Sequence, residues 1–257
     1  MLSDPRSRQS MDNARWADFV NFNRTVNMGL PSSTGEDDNS VSVMKGRGGV
    51  IDVLPGTYNF DDVFTFDDLP IIPRYTEIKG VEWVSNTKSG RGTLKFPDDF
   101  DVLTKIAVEV GTNEFVSYYG CTITNTRQDD KISLSMRHAI QDFTYSENYL
   151  QEWILNKNGN DGAGLERHNF SHVDCPKESH GENGIFLLAK FIDDEETILH
   201  LTGFQIPQKH CMYIPGDVIH INDYLKGTWR TMLSDAAPID YAYLEKDGVR
   251  FHFRFSI

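Results

Sequence analysis

Four residues in the second half of the chain have the types and the spacing of a mononuclear metal site. His172 and Asp174 form an H-x-D pair, His220 follows 46 residues after Asp174, and Arg230 lies ten residues beyond that histidine. Two imidazoles and one carboxylate can hold a non-haem Fe(II) ion on one face and leave coordination positions open. A guanidinium group is suited to bind a carboxylate through two hydrogen bonds. The pattern therefore predicts His172, Asp174 and His220 as metal ligands and catalytic residues, with Arg230 as a carboxylate-binding residue.

The H-x-D pair belongs to a segment that has the pattern of a single strand. In LERHNFSHVDCP, strand alternation would bring His168, Phe170, His172 and Asp174 to one face. Two histidines and a carboxylate on a buried face need polar partners, and a metal ion supplies one. We expect His168 to contact substrate or to support the ligands; in a cupin-like arrangement it would instead replace His172 as a ligand.

The distal histidine and the arginine lie on two further predicted strands. In YIPGDVIHIND a Pro-Gly-Asp turn precedes an apolar strand that contains His220, and the alternative to a ligand there is a hydrogen-bonded core histidine. In KGTWRTML the arginine is either solvated or faces inward towards a carboxylate partner. His210 is the fallback for the distal ligand.

The order and spacing of these residues resemble the Fe(II)/2-oxoglutarate-dependent dioxygenases over about residues 164–233. The resemblance implies that 2-oxoglutarate chelates the iron, that Arg230 binds its far carboxylate, and that O2 takes the remaining position. Succinate and CO2 would be released, and a small molecule such as an amino acid or natural-product intermediate would be hydroxylated, desaturated or cyclised. Many members of the family carry a serine two residues after the arginine, where this chain has Met232. Thr228 and Tyr213 are therefore the candidates for a second carboxylate donor.

Two other functions remain open at this stage. One is a cupin-type isomerase, epimerase or dioxygenase that holds a metal without 2-oxoglutarate. The other is a jelly-roll binding module without a metal. Arg137 either binds a substrate carboxylate or belongs to a solvated edge strand. His180 and His200 are expected to be solvated, and His252 to be structural or exposed.

The predicted fold is mainly β with a few helices, because short β-type runs separated by turn residues dominate from Val50 onward. A double-stranded β-helix, the cupin-like jelly-roll, fits the motif order and is expected to form a catalytic core over 111–257. Residues 1–110 should contribute an N-terminal helix at 11–28, a mobile loop at 31–42 and strands that pack on this core. The segment EFVSYYGCTIT is included among the strands, and one helix is predicted over 146–156 with Ser146 as its N-cap.

Charge and cysteine content limit the partners and the location. The net charge of −13 argues against nucleic acid or an anionic membrane, since both favour a basic surface. No stretch approaches the ~20 apolar residues of a membrane span. Cys121, Cys175 and Cys211 are an odd number without a C-x-x-C pair, which predicts reduced thiols and a cytoplasmic protein. The expected partner is a small-molecule substrate, and the sequence leaves the oligomeric state open.

Overall fold

The computed structural model describes residues 72–86, 88–125, 130–134, 138–177, 184–234 and 239–256, with the backbone of short strands at 44–45, 51–53 and 56–60. These residues form a mainly β fold with two large sheets. The strands, in chain order, are β1 (Met44–Lys45), β2 (Ile51–Val53), β3 (Gly56–Phe60), β4 (Thr76–Lys79), β5 (Glu82–Val84), β6 (Arg91–Lys95), β7 (Lys105–Val110), β8 (Thr122–Asn125), β9 (Asp130–Leu134), β10 (His138–Tyr145), β11 (Gly164–Arg167), β12 (His172–Pro176), β13 (Gly184–Phe191), β14 (Ile198–Gln205), β15 (His210–Ile214), β16 (Ile219–Leu225), β17 (Gly227–Leu233), β18 (Asp240–Lys246), β19 (Val249–Arg250) and β20 (Arg254–Ser256).

The helical segments are short, and they correct two predictions. A single turn, α1 (Asn113–Val116), begins where the Thr112 side chain accepts a hydrogen bond from the Phe115 amide, and it continues as a 3₁₀ turn at Ser117–Tyr119. The strand predicted from residue 114 was therefore wrong up to β8, because this N-cap starts a helix first. Helical geometry in the predicted 146–156 helix is confined to a π-helical turn at Leu150–Ile154, and Ser146 is not its N-cap. The predicted 11–28 helix and 31–42 loop lie outside the described residues.

The eight strands from β10 to β17 enclose the core. Consecutive strands lie in different sheets, except that β13 and β14 form a hairpin within the eleven-stranded sheet. In the seven-stranded sheet the order is β10-β17-β12-β15, and in the eleven-stranded sheet it is β11-β16-β13-β14. All neighbouring pairs within these two groups are antiparallel. Phe186 of one sheet lies 6.4 Å from Trp229 of the other, ring centre to ring centre, within a single hydrophobic core. The inner faces of the two sheets therefore pack against each other.

Strands from the first half of the chain extend the eleven-stranded sheet at both sides of this group. β4 and β7 pair with β14, while β6 pairs with β18 beside β11. The segment 76–110 thus contributes strands to the same sheet as the C-terminal half. It does not form a separate layer of its own.

A disulfide joins Cys175 of β12 to Cys211 of β15, and the prediction of three reduced thiols is therefore wrong. The two cysteines lie 36 residues apart, so no local sequence motif predicts the pair. They become neighbours because β12 and β15 are adjacent and antiparallel, with Asp174 opposite Met212 at the preceding position. Cys121 remains a free, buried thiol. The cytoplasmic location that was inferred from reduced thiols loses that support.

Candidate metal centre

Three histidines from both sheets meet in the core. His220 lies on β16, His168 follows β11 directly, and His172 begins β12 in the facing sheet. One nitrogen of each lies within 4.8 Å of the others, and the Nε2 atoms of His172 and His220 are 3.0 Å apart. All three side chains are buried, with 4% or less of each residue exposed. This cluster is the centre of the candidate site.

Hydrogen bonds at Nδ1 assign the basic nitrogen of two of these histidines. Nδ1 of His168 lies 2.8 Å from the Phe170 carbonyl oxygen, and Nδ1 of His220 lies 2.9 Å from that of Val218. A carbonyl oxygen can only accept, so Nδ1 carries the proton and Nε2 carries the lone pair in both rings. Metal-binding histidines are commonly oriented by a hydrogen bond of this kind at the other nitrogen.

Asp174 orients the third histidine from behind. Its Oδ2 lies 2.6 Å from Nδ1 of His172, a contact without the geometry of a hydrogen bond. Its Oδ1 accepts a hydrogen bond of 2.6 Å from the Thr231 hydroxyl. A carboxylate at this distance favours a proton on Nδ1 of His172, which leaves Nε2 as its basic atom. The structure thus places Asp174 against His172, whereas the H-x-D pattern predicts it among the ligands.

The cluster has the chemistry of a transition-metal site. With Nδ1 protonated in each ring, the Nε2 lone pairs of His172 and His220 face each other at 3.0 Å in a buried setting. A cation between the nitrogens would satisfy both lone pairs. Imidazole suits iron, zinc, copper and nickel, whereas calcium and magnesium prefer oxygen ligands. The donor set therefore fits a divalent transition metal held by His168, His172 and His220.

Glu166 borders the centre, and sequence analysis missed it. It lies directly opposite His220 in the β11–β16 ladder, and its Oε1 is 3.4 Å from Nε2 of that histidine. The side chain is buried. Its place two residues before His168 was the available signal, because alternation along the predicted strand puts both on one face. Glu166 is a candidate fourth ligand.

The ligands converge for a reason that differs from the prediction. A single strand was expected over residues 165–174, but β11 ends at Arg167 and β12 begins at His172 in the other sheet. The crossing segment between them is held by the His138 ring, which bonds to the Ser171 carbonyl oxygen at 2.7 Å. His168 and His172 therefore approach the centre from opposite sheets rather than from one strand face.

The predicted Pro-Gly-Asp turn before β16 supports this crossing segment. The Asp217 amide donates a hydrogen bond of 2.7 Å to the carbonyl oxygen of His168. A Cβ atom on Gly216 would lie only 2.7 Å from the Asn169 carbonyl oxygen. Glycine is required there because the turn and the crossing segment approach each other so closely. The turn thus positions two of the histidines, His168 and His220.

Arg230 lies on the opposite face of its sheet from Asp174, which contradicts its expected inward position. Thr231 is the residue opposite Asp174, while Arg230 faces Cys175 and Asp142 across the neighbouring strands. Its guanidinium makes two hydrogen bonds to Asp142, of 2.7 and 2.9 Å. Arg230 shares a face of β17 with Thr228 and Met232, as predicted. The opposite face, which carries Trp229, Thr231 and Leu233, is the one turned to the core.

The two other predicted carboxylate donors share that outer face. Thr228 lies opposite Thr144 in the β10–β17 ladder, and their hydroxyl oxygens are 3.3 Å apart. Tyr213 lies opposite Val173, the neighbour of Asp174, and therefore also turns away from the centre. The structure brings together His168, His172 and His220 but neither Thr228 nor Tyr213.

The remaining residues that were named from the sequence are not part of the cluster in the described part of the chain. Arg137 and His180 lie outside the described residues. His210 bonds through Nδ1 to the Gln208 carbonyl oxygen at 3.0 Å and is not part of the cluster. His252 is partly buried and bonds to the Phe253 carbonyl oxygen. The prediction of a solvated His200 is wrong, because it is buried on β14.

Lys190 is a cation on the inner face that sequence analysis did not select. It lies two residues after Leu188 on β13, and Leu188 is directly opposite His220. Diagonal neighbours of this kind have Cα atoms about 7–8 Å apart. Its ammonium donates to the Tyr118 carbonyl oxygen at 3.0 Å and lies 3.7 Å from the centre of the Tyr118 ring. Partial burial lowers the pKa of Lys190.

A chain of hydrogen bonds holds the support of Lys190 in place. The Tyr118 hydroxyl lies 2.7 Å from Nδ1 of His200, whose Nε2 lies 3.0 Å from a Glu77 carboxylate oxygen. The bond from His200, followed by that from Lys79, holds the pKa of Glu77 below its usual value. The Tyr75 ring stacks on His200 with 3.8 Å between ring centres. Tyr118 is thus fixed beneath Lys190.

The ion pair on the outer face should make stability depend on pH. Burial raises the pKa of Asp142, but bonds from Arg230 and Lys177 outweigh it and leave the pKa below its usual value. A depressed folded pKa gives stability that is present above the ordinary pKa of ~3.9 and is lost as pH falls through the folded value. Asp142→Asn should therefore lower the free energy of unfolding by about 2–3 kcal/mol at pH 7 and by much less in acid.

Urea unfolding at pH 7 and pH 3 measures this difference. Glu82→Gln is the matched control, since Glu82 forms an exposed ion pair with Lys95 and should change stability little. An equal loss for Asp142→Asn at both pH values would contradict the assignment of the pair as the source of the pKa shift.

No protein-family model matches this chain, and no curated protein matches it in sequence. Of the helical segments in the described part of the chain, none has the length and apolar character that a membrane span requires.

Proposed function

We propose that this protein is a metal-dependent oxygenase with a double-stranded β-helix core, which holds Fe(II) at His168, His172 and His220 and takes 2-oxoglutarate as co-substrate for the oxidation of a small molecule. The observation that carries the proposal is the convergence of the three imidazoles, one nitrogen of each within 4.8 Å of the others. The hydrogen bonds at Nδ1 of His168 and His220 favour the same assignment, because they leave Nε2 of each ring basic.

The order of the strands supports the architecture in this proposal. The eight strands from β10 to β17 are divided equally between two facing sheets, in the orders β10-β17-β12-β15 and β11-β16-β13-β14. A jelly-roll consists of eight antiparallel strands in two such sheets, and cupins share it. Ligands placed on β12 and β16 and after β11 would lie between the sheets, where water is excluded.

His168, His172 and His220 would hold the metal through three nitrogens, so an ion that takes six ligands would keep three positions for other molecules. That number accommodates a two-point contact from a 2-oxoacid together with O2. When bound, the metal supplies a site at which O2 and the 2-oxoacid react. The chain itself holds the three nitrogens and excludes water. It also orients each ring through the contact of its Nδ1 with Phe170, Val218 or Asp174.

Lys190 takes the role that the sequence suggested for Arg230. A dicarboxylate that reaches the metal through one end needs a cation for its other end. Lys190 is on the inner face diagonally from His220, whereas Arg230 is paired with Asp142 on the outer face. We therefore assign the far carboxylate of 2-oxoglutarate to the Lys190 ammonium.

A second candidate function is favoured by Glu166. If its carboxylate, 3.4 Å from Nε2 of His220, also binds the metal, four protein ligands leave only two open positions. Those two positions cannot hold a chelating 2-oxoacid and O2 together. The protein would then be a cupin-type metal enzyme, an isomerase, epimerase or dioxygenase, that acts without 2-oxoglutarate.

Anaerobic titration separates the two functions. The Fe(II) protein is titrated with 2-oxoglutarate while the visible charge-transfer absorption is recorded, and succinate is measured after O2 is admitted. The proposed oxygenase should show saturable absorption and succinate, with metal binding retained in Glu166→Gln. Absence of both signals, with metal affinity lost in Glu166→Gln, would establish the second function instead. His220→Gln is the control that should give neither absorption nor succinate.

A further inference from the structure

The disulfide between Cys175 and Cys211 lies next to Asp174 on the outer face of β12, where the two cysteines keep 6% and 7% of their surface exposed. We infer that it is a thiol–disulfide exchange site whose redox state sets the metal affinity of the three histidines, and that its reaction partner is a dithiol. The inference rests on the metal centre proposed above. It concerns a covalent bond that takes no part in metal binding itself.

The connection from the disulfide to the centre is short. Cys175 is the residue after Asp174, and Cys211 is the residue before Met212, which lies opposite Asp174 in the β12–β15 ladder. That ladder pairs only His172, Val173 and Asp174 with their partners. The disulfide therefore closes the end of a three-residue ladder at the position adjacent to Asp174.

Asp174 couples the position of β12 to the orientation of the His172 ring. One of its carboxylate oxygens lies 2.6 Å from Nδ1 of His172, and the other accepts the Thr231 hydroxyl. When the disulfide is broken, β12 keeps its four-residue pairing with β17, but on its other side it is held to β15 by the short ladder alone. The carboxylate then has more freedom, so the ring of His172 is oriented less tightly. Loss of an orienting partner of this kind typically lowers metal affinity about 10–100-fold.

The exchange reaction is balanced by the dithiol. One thiolate of the dithiol attacks a sulfur of the Cys175–Cys211 bond, forms a mixed disulfide and releases the other cysteine as a thiolate, which takes up a proton. The second thiol of the dithiol then displaces the remaining cysteine. The protein gains two electrons and two protons, and the dithiol becomes a disulfide.

The affinity measurement uses Mn(II), which has little preference for sulfur, and counts free Mn(II) by electron paramagnetic resonance. The forms compared are the oxidised protein, the dithiol-reduced protein and the Cys175→Ser/Cys211→Ser variant. The oxidised form should bind about 10–100-fold more tightly than either of the others. Cys121→Ser removes the free buried thiol and is the matched control, which should bind like the oxidised wild type.

Reciprocity supplies a second measurement that a purely structural disulfide would not affect. If the oxidised form binds metal more tightly, the metal must make the disulfide harder to reduce by the same factor. Each tenfold difference in affinity corresponds to about 30 mV, so saturating Mn(II) should lower the midpoint potential by about 30–60 mV. His220→Gln, which should not bind the metal, should show no such shift.

Equal Mn(II) affinity in the three forms, with an unchanged midpoint potential, would overturn the inference and leave the metal centre standing. A double-serine variant that is less stable but binds Mn(II) like the oxidised wild type would overturn it too. If no form binds either Mn(II) or Co(II), the centre and the inference both fail. Should the variant not fold, the dithiol-reduced wild type still decides between these outcomes.

Discussion

His220→Gln should abolish tight metal binding, whereas Asp174→Asn should weaken it only about 10–100-fold. The difference arises because Nε2 of His220 lies 3.0 Å from that of His172 in the centre, while Asp174 contacts the far nitrogen of His172. Glutamine removes the ligand without removing polarity. Asparagine keeps the shape of Asp174 but loses the negative charge that favours a protonated Nδ1. Titration with Co(II) under anaerobic conditions measures both affinities.

His210→Gln is the control for this comparison, since His210 is partly buried on β15 and lies outside the cluster. Its metal affinity should equal that of the wild type. If Asp174→Asn loses as much affinity as His220→Gln, then Asp174 is a ligand, as the H-x-D pattern predicts. The role of Asp174 as an orienting residue would then be wrong.

Lys190→Met should mainly lower the affinity for 2-oxoglutarate, whereas Arg230→Met should mainly lower the stability of the fold. Loss of a charge-assisted carboxylate contact of about 1.5–3 kcal/mol should lower 2-oxoglutarate affinity roughly 10–100-fold in Lys190→Met. Arg230→Met should leave that affinity unchanged. It should lower the free energy of unfolding by about 3 kcal/mol, because it breaks a largely buried pair whose carboxylate retains Lys177.

Both quantities are measured on the same preparations, by anaerobic 2-oxoglutarate titration of the Fe(II) protein and by urea unfolding. Lys226→Met is the matched control, because Lys226 forms an exposed pair with Glu147 and should change neither property much. Weaker 2-oxoglutarate binding in Arg230→Met, with full affinity in Lys190→Met, would restore the assignment that the spacing of the sequence suggested.

The sequence predicted several strands and individual histidines of the cluster. It did not predict which sheets and faces bring these side chains together. The segment GTWRTML coincides with β17, and KIAVEV coincides with β7, because alternation and β-branched residues are local signals. His172 and His220 were selected from residue type and spacing, and they do meet. His168 was weighed as a ligand only in a cupin-like arrangement, and Glu166 was overlooked.

The failures have a common physical cause, which is that a strand pattern does not specify the sheet or the face. The segment from Glu166 to Asp174 reads as one alternating strand, yet the chain crosses between sheets at residues 168–171. The residues that share a face with Arg230 on β17 were predicted correctly. Thr231 lies opposite Asp174, however, so Arg230 is on the outer face. The Cys175–Cys211 bond depends on the adjacency of β12 and β15, which is a property of the whole topology.

The crossing at residues 168–171 has a consequence for folding. His168 follows a strand of one sheet, His172 begins a strand of the other, and His220 belongs to the first. An ion held by all three would tie the two halves of the sandwich together across their hydrophobic interior. Its binding free energy would then be part of the folding free energy, amounting to about 4 kcal/mol when free metal is a thousandfold above its dissociation constant. Chelators would thus loosen the packing of the two sheets against each other.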